Sequence, residues 1–387
     1  MVQGGGNETM SSEIQEYLDV RQQRRLIFPR AALVGACAGI TALLFRVALT
    51  SADIARNGLI SWARGRPAWG WIFPLVLTLL GATLSVAATR RYAPEASGSG
   101  IPHLEAVLQR FRNLEWRRVL PVKFFGGIVA IGSGLALGRE GPTVQMSGAV
   151  GDAVARWLKV SERERLTLIS AGAGAGLAAA FNAPLSGLIF VLEEVRRDFQ
   201  PIVFGAAFVA AVVADIIARI GTGQFPVFAV PGYPIPPLTS LPLFALLGIV
   251  AGVLGVLFNR ALLVGIEAFA HLPARLMVPA TALTGGIVGL VGWFAPSLIG
   301  NGHSLAESAL QGDLLLAAVP LFFVIRFLLT TLSYGTGAPG GIFAPLLVLG
   351  ALIGLAVGHV GHAVWPAAVP IPAVFAVVGM AAYFTAI

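Results

Sequence analysis

Long unbroken apolar runs, divided by short basic loops, leave this chain few ways to fold. They occupy roughly 31–54, 70–89, 119–137, 142–158, 166–181, 202–219, 243–264, 276–295, 314–333 and 342–358, and a last one begins near 371. About 20 apolar residues in a helix match the hydrocarbon thickness of a bilayer. The runs lack the period-two alternation of barrel strands, so helices carry the spans. The expectation is an all-α polytopic membrane protein. Only 12% of the 387 residues are charged, about half the share of a soluble domain. The net charge of +7 gathers in loops, which fits the positive-inside rule and not nucleic acid. Arg21, Arg24, Arg25 and Arg30 precede the first run and place the N-terminus in the cytoplasm. No cleavable signal peptide is evident, and Cys37, the only cysteine, excludes an internal disulfide.

Glycine and proline break the runs at recurrent places. Ala93-Pro94, Gly98, Gly100, Glu105, Leu108 and Gln109 return 202 positions later as Ala295-Pro296, Gly300, Gly302, Glu307, Leu310 and Gln311. At a shift of 203, Gly132, Gly134, Gly138 and Pro142 return as Gly335, Gly337, Gly341 and Pro345, and Gly176 and Phe181 as Gly379 and Phe384. Gly35, Gly39 and Phe45 match Gly248, Gly252 and Phe258. One such match is chance; several in order are a duplication. The division is a cytoplasmic N-terminal segment at 1–27, a first repeat at 28–222, a Pro-rich linker at 223–242 and a second repeat at 243–387. The second repeat stops soon after Phe384, so it is expected to be incomplete at its C-terminus. Duplicated membrane halves with broken helices are the pattern of transporters whose site lies at the repeat interface.

The chemistry centres on Gly138-Arg139-Glu140-Gly141-Pro142. Pro142 suits a first helical turn. A helix start leaves about four N–H groups unpaired at the positive end of its dipole, a ready anion site. A carboxylate placed there inside a membrane is a functional suspect, and Glu140 is read as competing with a small anion. The alternative is a capping carboxylate, but its repeat counterpart is Phe343, so the fold does not require an acid. Gly98–Pro102 and Gly341–Pro345 offer two more such helix starts. Three of them on one point hold an anion without a full positive charge, weakly enough for it to leave. Ser99 offers a hydroxyl to an anion, or a helix cap. Glu193 and Glu194 precede Arg196 and Arg197; they form either an interfacial ion cluster or a place where cytoplasmic protons enter. His359 and His362 lie one turn apart with no carboxylate or cysteine nearby, and are read as ordinary helix residues. No GxSG nucleophile, Walker, Rossmann or zinc motif is present, so neither an enzyme nor a cofactor is expected.

These residues resemble the CLC family of chloride channels and chloride/proton antiporters. The motifs that carry the likeness are Gly98–Pro102, Gly138–Pro142, Phe181-Asn182-Ala183-Pro184, Glu193-Glu194 and Gly340–Pro345. The resemblance implies a homodimer with a pore in each subunit, built from two antiparallel halves with broken and re-entrant helices, in a prokaryotic cell (inner) membrane. Ser99 and the N–H groups of Ile342 and Phe343 would hold a central chloride. Glu140, with Gly141 beside it, would be the external gating glutamate. Glu194, with Glu193 beside it, would pass protons on the inner side. Chloride and protons are then the substrates, with no other cofactor. Exchange of chloride for protons is the expected activity, and a passive voltage- or pH-gated chloride channel of the same fold is the alternative. His103 stands where the family often carries Glu. The family's pore tyrosine lies in a C-terminal helix beyond this sequence.

Overall fold

The computed structural model describes residues 5–66, 68–197, 199–224 and 227–387, with side chains from Leu26 onward. Within them the regular structure is helical. The helices are α1 (Gly5–Arg64), α2 (Ile72–Tyr92), α3 (Ile101–Leu108), α4 (Trp116–Ser133), α5 (Glu140–Trp157), α6 (Glu162–Phe181), α7 (Pro184–Phe190), α8 (Pro201–Thr222), α9 (Leu241–Ala270), α10 (Ala274–Phe294), α11 (His303–Gln311), α12 (Val319–Gly335), α13 (Phe343–Val364) and α14 (Val374–Thr385). The series α2, α3, α4, α5, α6 is matched in order by α10, α11, α12, α13, α14. Even the short 3-10 turn Pro94–Ala96 ahead of α3 returns as Pro296–Leu298 ahead of α11.

Among the described residues, six helices are long and apolar enough to cross a membrane: Leu26–Arg64, Ile72–Tyr92, Pro201–Thr222, Leu238–Ala270, Ala274–Phe294 and Phe343–Val364. The chain is a multi-pass membrane protein. Burial separates the roles of these spans. Only 22% of the most apolar window in Leu238–Ala270 is buried, against 67% in Phe343–Val364, so α9 offers most of its surface to lipid and α13 little. Helices α5 and α6 are almost wholly buried and rich in Gly, Ala and Ser. They need no oily surface, so small residues take the place of large apolar ones along them.

Packing gathers the chain into two compact units. One holds the chain up to Leu43, Leu104–Trp116 and Met146–Gly223; the other holds Leu44–His103, Arg117–Gln145 and Gln224–Ile387. In the first unit small residues bring backbones together: a Cβ on Gly39 would stand 2.9 Å from Ala214 Cα. Asp152, fully buried, accepts from Arg156 Nε at 2.9 Å and Arg165 Nε at 2.5 Å, so its charge is paired as burial demands. In the second unit α2 lies against α10, where a Cβ on Gly289 would stand 2.6 Å from Leu75 Cα, and α13 lies against α14 through Gly354 and Ala376. Close approach through small residues is the usual driver of helix association in lipid.

Candidate functional site

Three Gly/Pro turns meet within the second unit. Gly138 N–H donates to Gly341 O at 2.7 Å, and Gly341 N–H donates back to Gly138 O at 2.7 Å. Gly340 N–H donates to Gly98 O at 3.0 Å. No side chain fits where these strands of backbone touch: a Cβ on Gly141 would lie 2.8 Å from Ser99 Cβ. From this junction start α3 at Ile101, α5 at Glu140 and α13 at Phe343. Their unpaired first-turn amides and positive dipole ends are thereby brought together.

Glu140 is 3% exposed. Its Oε2 accepts from Ala344 N–H at 3.3 Å, and Arg139 Nε stands 3.8 Å from its Oε1. The carboxylate therefore occupies the first turn of α13, across the junction from its own helix. Ile342 caps that helix and Phe343 opens it, so their N–H groups belong to the same amide end. Gly141 follows Glu140 in α5 and carries the contact with Ser99. Ser99 is buried, and its Oγ accepts from Ile101 N–H at 3.3 Å. Tyr334 OH donates to Ser99 Oγ at 3.4 Å and accepts from Ser99 N–H at 3.4 Å. Ser99 Oγ is an acceptor in both of its bonds, which leaves its own O–H to donate. The capping and anion roles weighed for Ser99 are compatible.

Tyr334 carried no sequence signal, being one tyrosine in an apolar run; only the fold brings it to Ser99. A pair of buried cations was also missed. Lys123 Nζ, fully buried on α4, donates to Ala96 O at 2.8 Å and Gly98 O at 2.6 Å. Arg326, fully buried on α12, donates from Nη1 to Leu298 O at 3.0 Å. Lys123 and Arg326 are 203 positions apart, and the carbonyls of Ala96 and Leu298 are 202 apart. Each cation braces the loop ahead of a short helix. Each is a single cation in an apolar run, and only the fold shows that it is buried against a loop.

Glu193 and Glu194 belong to the first unit, on a π-helical turn at Val191–Arg196 that ends with Arg197 in the left-handed region (φ 53°). Both are exposed. Glu105, on the short helix α3, lies within electrostatic reach. Burial pushes its carboxyl above the ordinary range, Arg197 pulls it back, and Glu194 pushes it up again. Single-turn π bulges are frequent at functional sites.

Residues 81–387 match the family model described as voltage gated chloride channel. The chain belongs to this family, the CLC proteins. Among curated CLC relatives it is similar to the H(+)/Cl(−) exchange transporter ClcA of Vibrio vulnificus (strain YJ016), with 42% identity over 363 residues, 92% of this chain and 78% of that protein. Among solved CLC structures it is similar to a slow cyanobacterial Cl−/H+ antiporter, with 35% identity, a TM-score of 0.88 and coverage of 92% of this chain and 84% of that one. A eukaryotic CLC transporter matches at 25% identity and a TM-score of 0.78, covering 95% of this chain and 65% of that one.

Proposed function

We propose that this chain exchanges chloride for protons across a prokaryotic cell (inner) membrane. The observation that carries the reading is the Glu140 carboxylate on the Ala344 amide, at the end of α13 where an anion would otherwise sit. Deprotonated Glu140 fills that place. Protonated Glu140 has lost the charge that holds it there and leaves the place to chloride. Ser99 and the N–H groups of Ile342 and Phe343 hold the neighbouring chloride. Glu194, with Glu193 beside it, takes up protons on the cytoplasmic side. The names of the similar transporters support the same substrates.

The paired bonds between Gly138 and Gly341 support antiparallel halves. These two residues are repeat equivalents, and a mutual exchange of bonds between equivalents is the mark of a local two-fold axis. The apolar, lipid-exposed faces of α9 and α10 supply surface for a homodimer. The arginines ahead of the first span favour a cytoplasmic N-terminus. In liposomes carrying the full chain, an imposed chloride gradient should drive protons uphill. Chloride flux with no proton movement would make the protein a channel instead.

A further inference from the structure

The loop Gly300-Asn301-Gly302-His303 is the repeat twin of Gly98-Ser99-Gly100-Ile101. The backbones agree: Gly98 and Gly100 have φ of +58° and +80°, Gly300 and Gly302 of +67° and +79°. Both loops open a short helix, α3 and α11. Their surroundings differ. The second loop faces a cavity of about 300 Å³ in the second unit, whose wall includes Arg46, Arg56 and Arg139. The carboxylates on that wall are Asp53 and Glu307, so three cations face two anions. Arg326, outside the wall, adds a fourth cation, with its Nη2 2.7 Å from where a Cβ on Gly302 would stand.

Several of these donors have no acceptor. Arg56 is 6% exposed, and its Nε has no hydrogen-bond partner; its Nη1 is held by Gly132 O at 3.2 Å and Asp53 Oδ1 at 2.7 Å. Arg326 is fully buried with Nε and Nη2 both unpartnered. Buried, unpaired guanidinium N–H groups are costly, and the positive charge they leave uncompensated beside the cavity favours an anion within it. We propose that this cavity is a second anion-binding site, taking a small inorganic monovalent anion between the arginines and the first turn of α11. Ser99 is not on the wall of this cavity, and an anion would bind in it whether or not the chain moves protons.

His303 tunes the site. Its ring lies 4.9 Å from that of Phe228, its Nε2 stands 3.4 Å from Glu307 Oε1, and its N–H is capped by Asn301 Oδ1 at 2.9 Å. The charged groups around it are Arg46, Asp53 and Arg56 from α1, Arg139 from the turn before α5, Glu307 on its own helix and Arg326 from α12. Burial lowers its pKa first; Glu307 raises it, and Arg139 and Arg46 lower it. An imidazole held neutral in this way becomes charged more readily when an anion arrives, so the anion and a proton on His303 favour each other.

Crystals of the full chain grown with bromide in place of chloride test the site through anomalous scattering. A bromide peak is expected in the cavity between Arg46, Arg139 and Asn301, stronger at about pH 5 than at about pH 8. The pH effect should vanish in His303→Phe, and Arg46→Gln should remove the cavity peak while leaving any peak at Ser99. Bromide at Ser99 with an empty cavity overturns this second site and leaves the transport reading standing. Bromide in the cavity alone supports the second site and counts against the junction at Ser99. Bromide at neither overturns both. In liposomes, Arg46→Gln should raise the chloride concentration for half-maximal flux by about tenfold, because the cations concentrate anions near the mouth; an unchanged value would contradict any role in supplying the junction.

Discussion

The loops at Gly98–Ile101 and Gly300–His303 share a backbone and differ in what surrounds it. Around the first, Tyr334 holds Ser99 and Lys123 is bound to the loop's own carbonyls. What the first loop offers is a serine hydroxyl and backbone amides. Around the second, three arginines line an open cavity, and Arg56 and Arg326 keep N–H groups without acceptors. The comparison separates two jobs that one cup of amides can do. Amides alone hold an anion loosely enough to pass it on. Unpaired guanidinium groups hold it by charge and suit a place where anions are gathered. The same backbone cup occurs twice, and the side chains around each one decide its use.

The comparison can be broken at several points. Glu140→Ala bears on the first loop's junction and carries the largest expected effect. Chloride flux in liposomes should persist while chloride-driven proton flux falls on the order of a hundredfold or more; unchanged coupling would remove Glu140 from the proton path. Glu194→Gln should cut proton flux by about tenfold or more and spare chloride, and full retained coupling would move proton uptake elsewhere. Gly141→Ala forces a Cβ to within 2.8 Å of Ser99 and should destabilise the folded chain by about 1–3 kcal/mol. Gly286 on α10 has nothing within 4 Å of its would-be Cβ, so Gly286→Ala should be neutral or stabilise by up to about 1 kcal/mol. Equal melting shifts in the two alanine variants would refute the close junction. Tyr334→Phe removes the hydroxyl bonded to Ser99 and should weaken chloride binding by about 0.5–1.5 kcal/mol in calorimetry. No change there would leave Tyr334 as packing only.

The smallest effect concerns the second loop and pH. With its pKa lowered by burial, folded His303 binds fewer protons than unfolded His303 between that lowered value and the ordinary 6.5. Its influence is therefore nil above the ordinary value, and stability falls as pH drops through the window below it. Thermal unfolding in chloride-free detergent should show this slope in the wild type and lose it in His303→Gln. Chloride should flatten it, because an anion in the cavity favours the charged ring. A slope indifferent to both changes would detach His303 from the site.

Much of this was legible in the sequence because membrane helices announce themselves by length and apolarity, and because Gly and Pro mark helix starts. The recurrent spacing made Gly138–Pro142 and Gly341–Pro345 comparable from the sequence, and the structure brings both to one junction with Ser99. Tyr334, Lys123 and Arg326 were not legible, since each is a single polar residue in an apolar run whose partner lies far along the chain. The charged cavity was hidden for the same reason. Arg46, Asp53 and Arg56 look like interfacial charges near the end of a span, and only folding brings them to His303. The first span was expected to end near 54, but α1 continues to Arg64. Its polar continuation is held by pairs such as Asp53 with Arg56, which an apolar pattern does not register.

The central claim is that a chloride and the Glu140 carboxylate occupy the same place. Linkage makes this measurable: if chloride binds where the deprotonated carboxylate sits, adding chloride must raise the affinity of Glu140 for a proton. Proton uptake by the full chain in weakly buffered detergent solution, on addition of chloride, reads this directly. Wild-type protein should take up protons, and Glu140→Gln should take up clearly fewer, with His303 common to both. Equal uptake by the two proteins, or none by the wild type, would contradict the account.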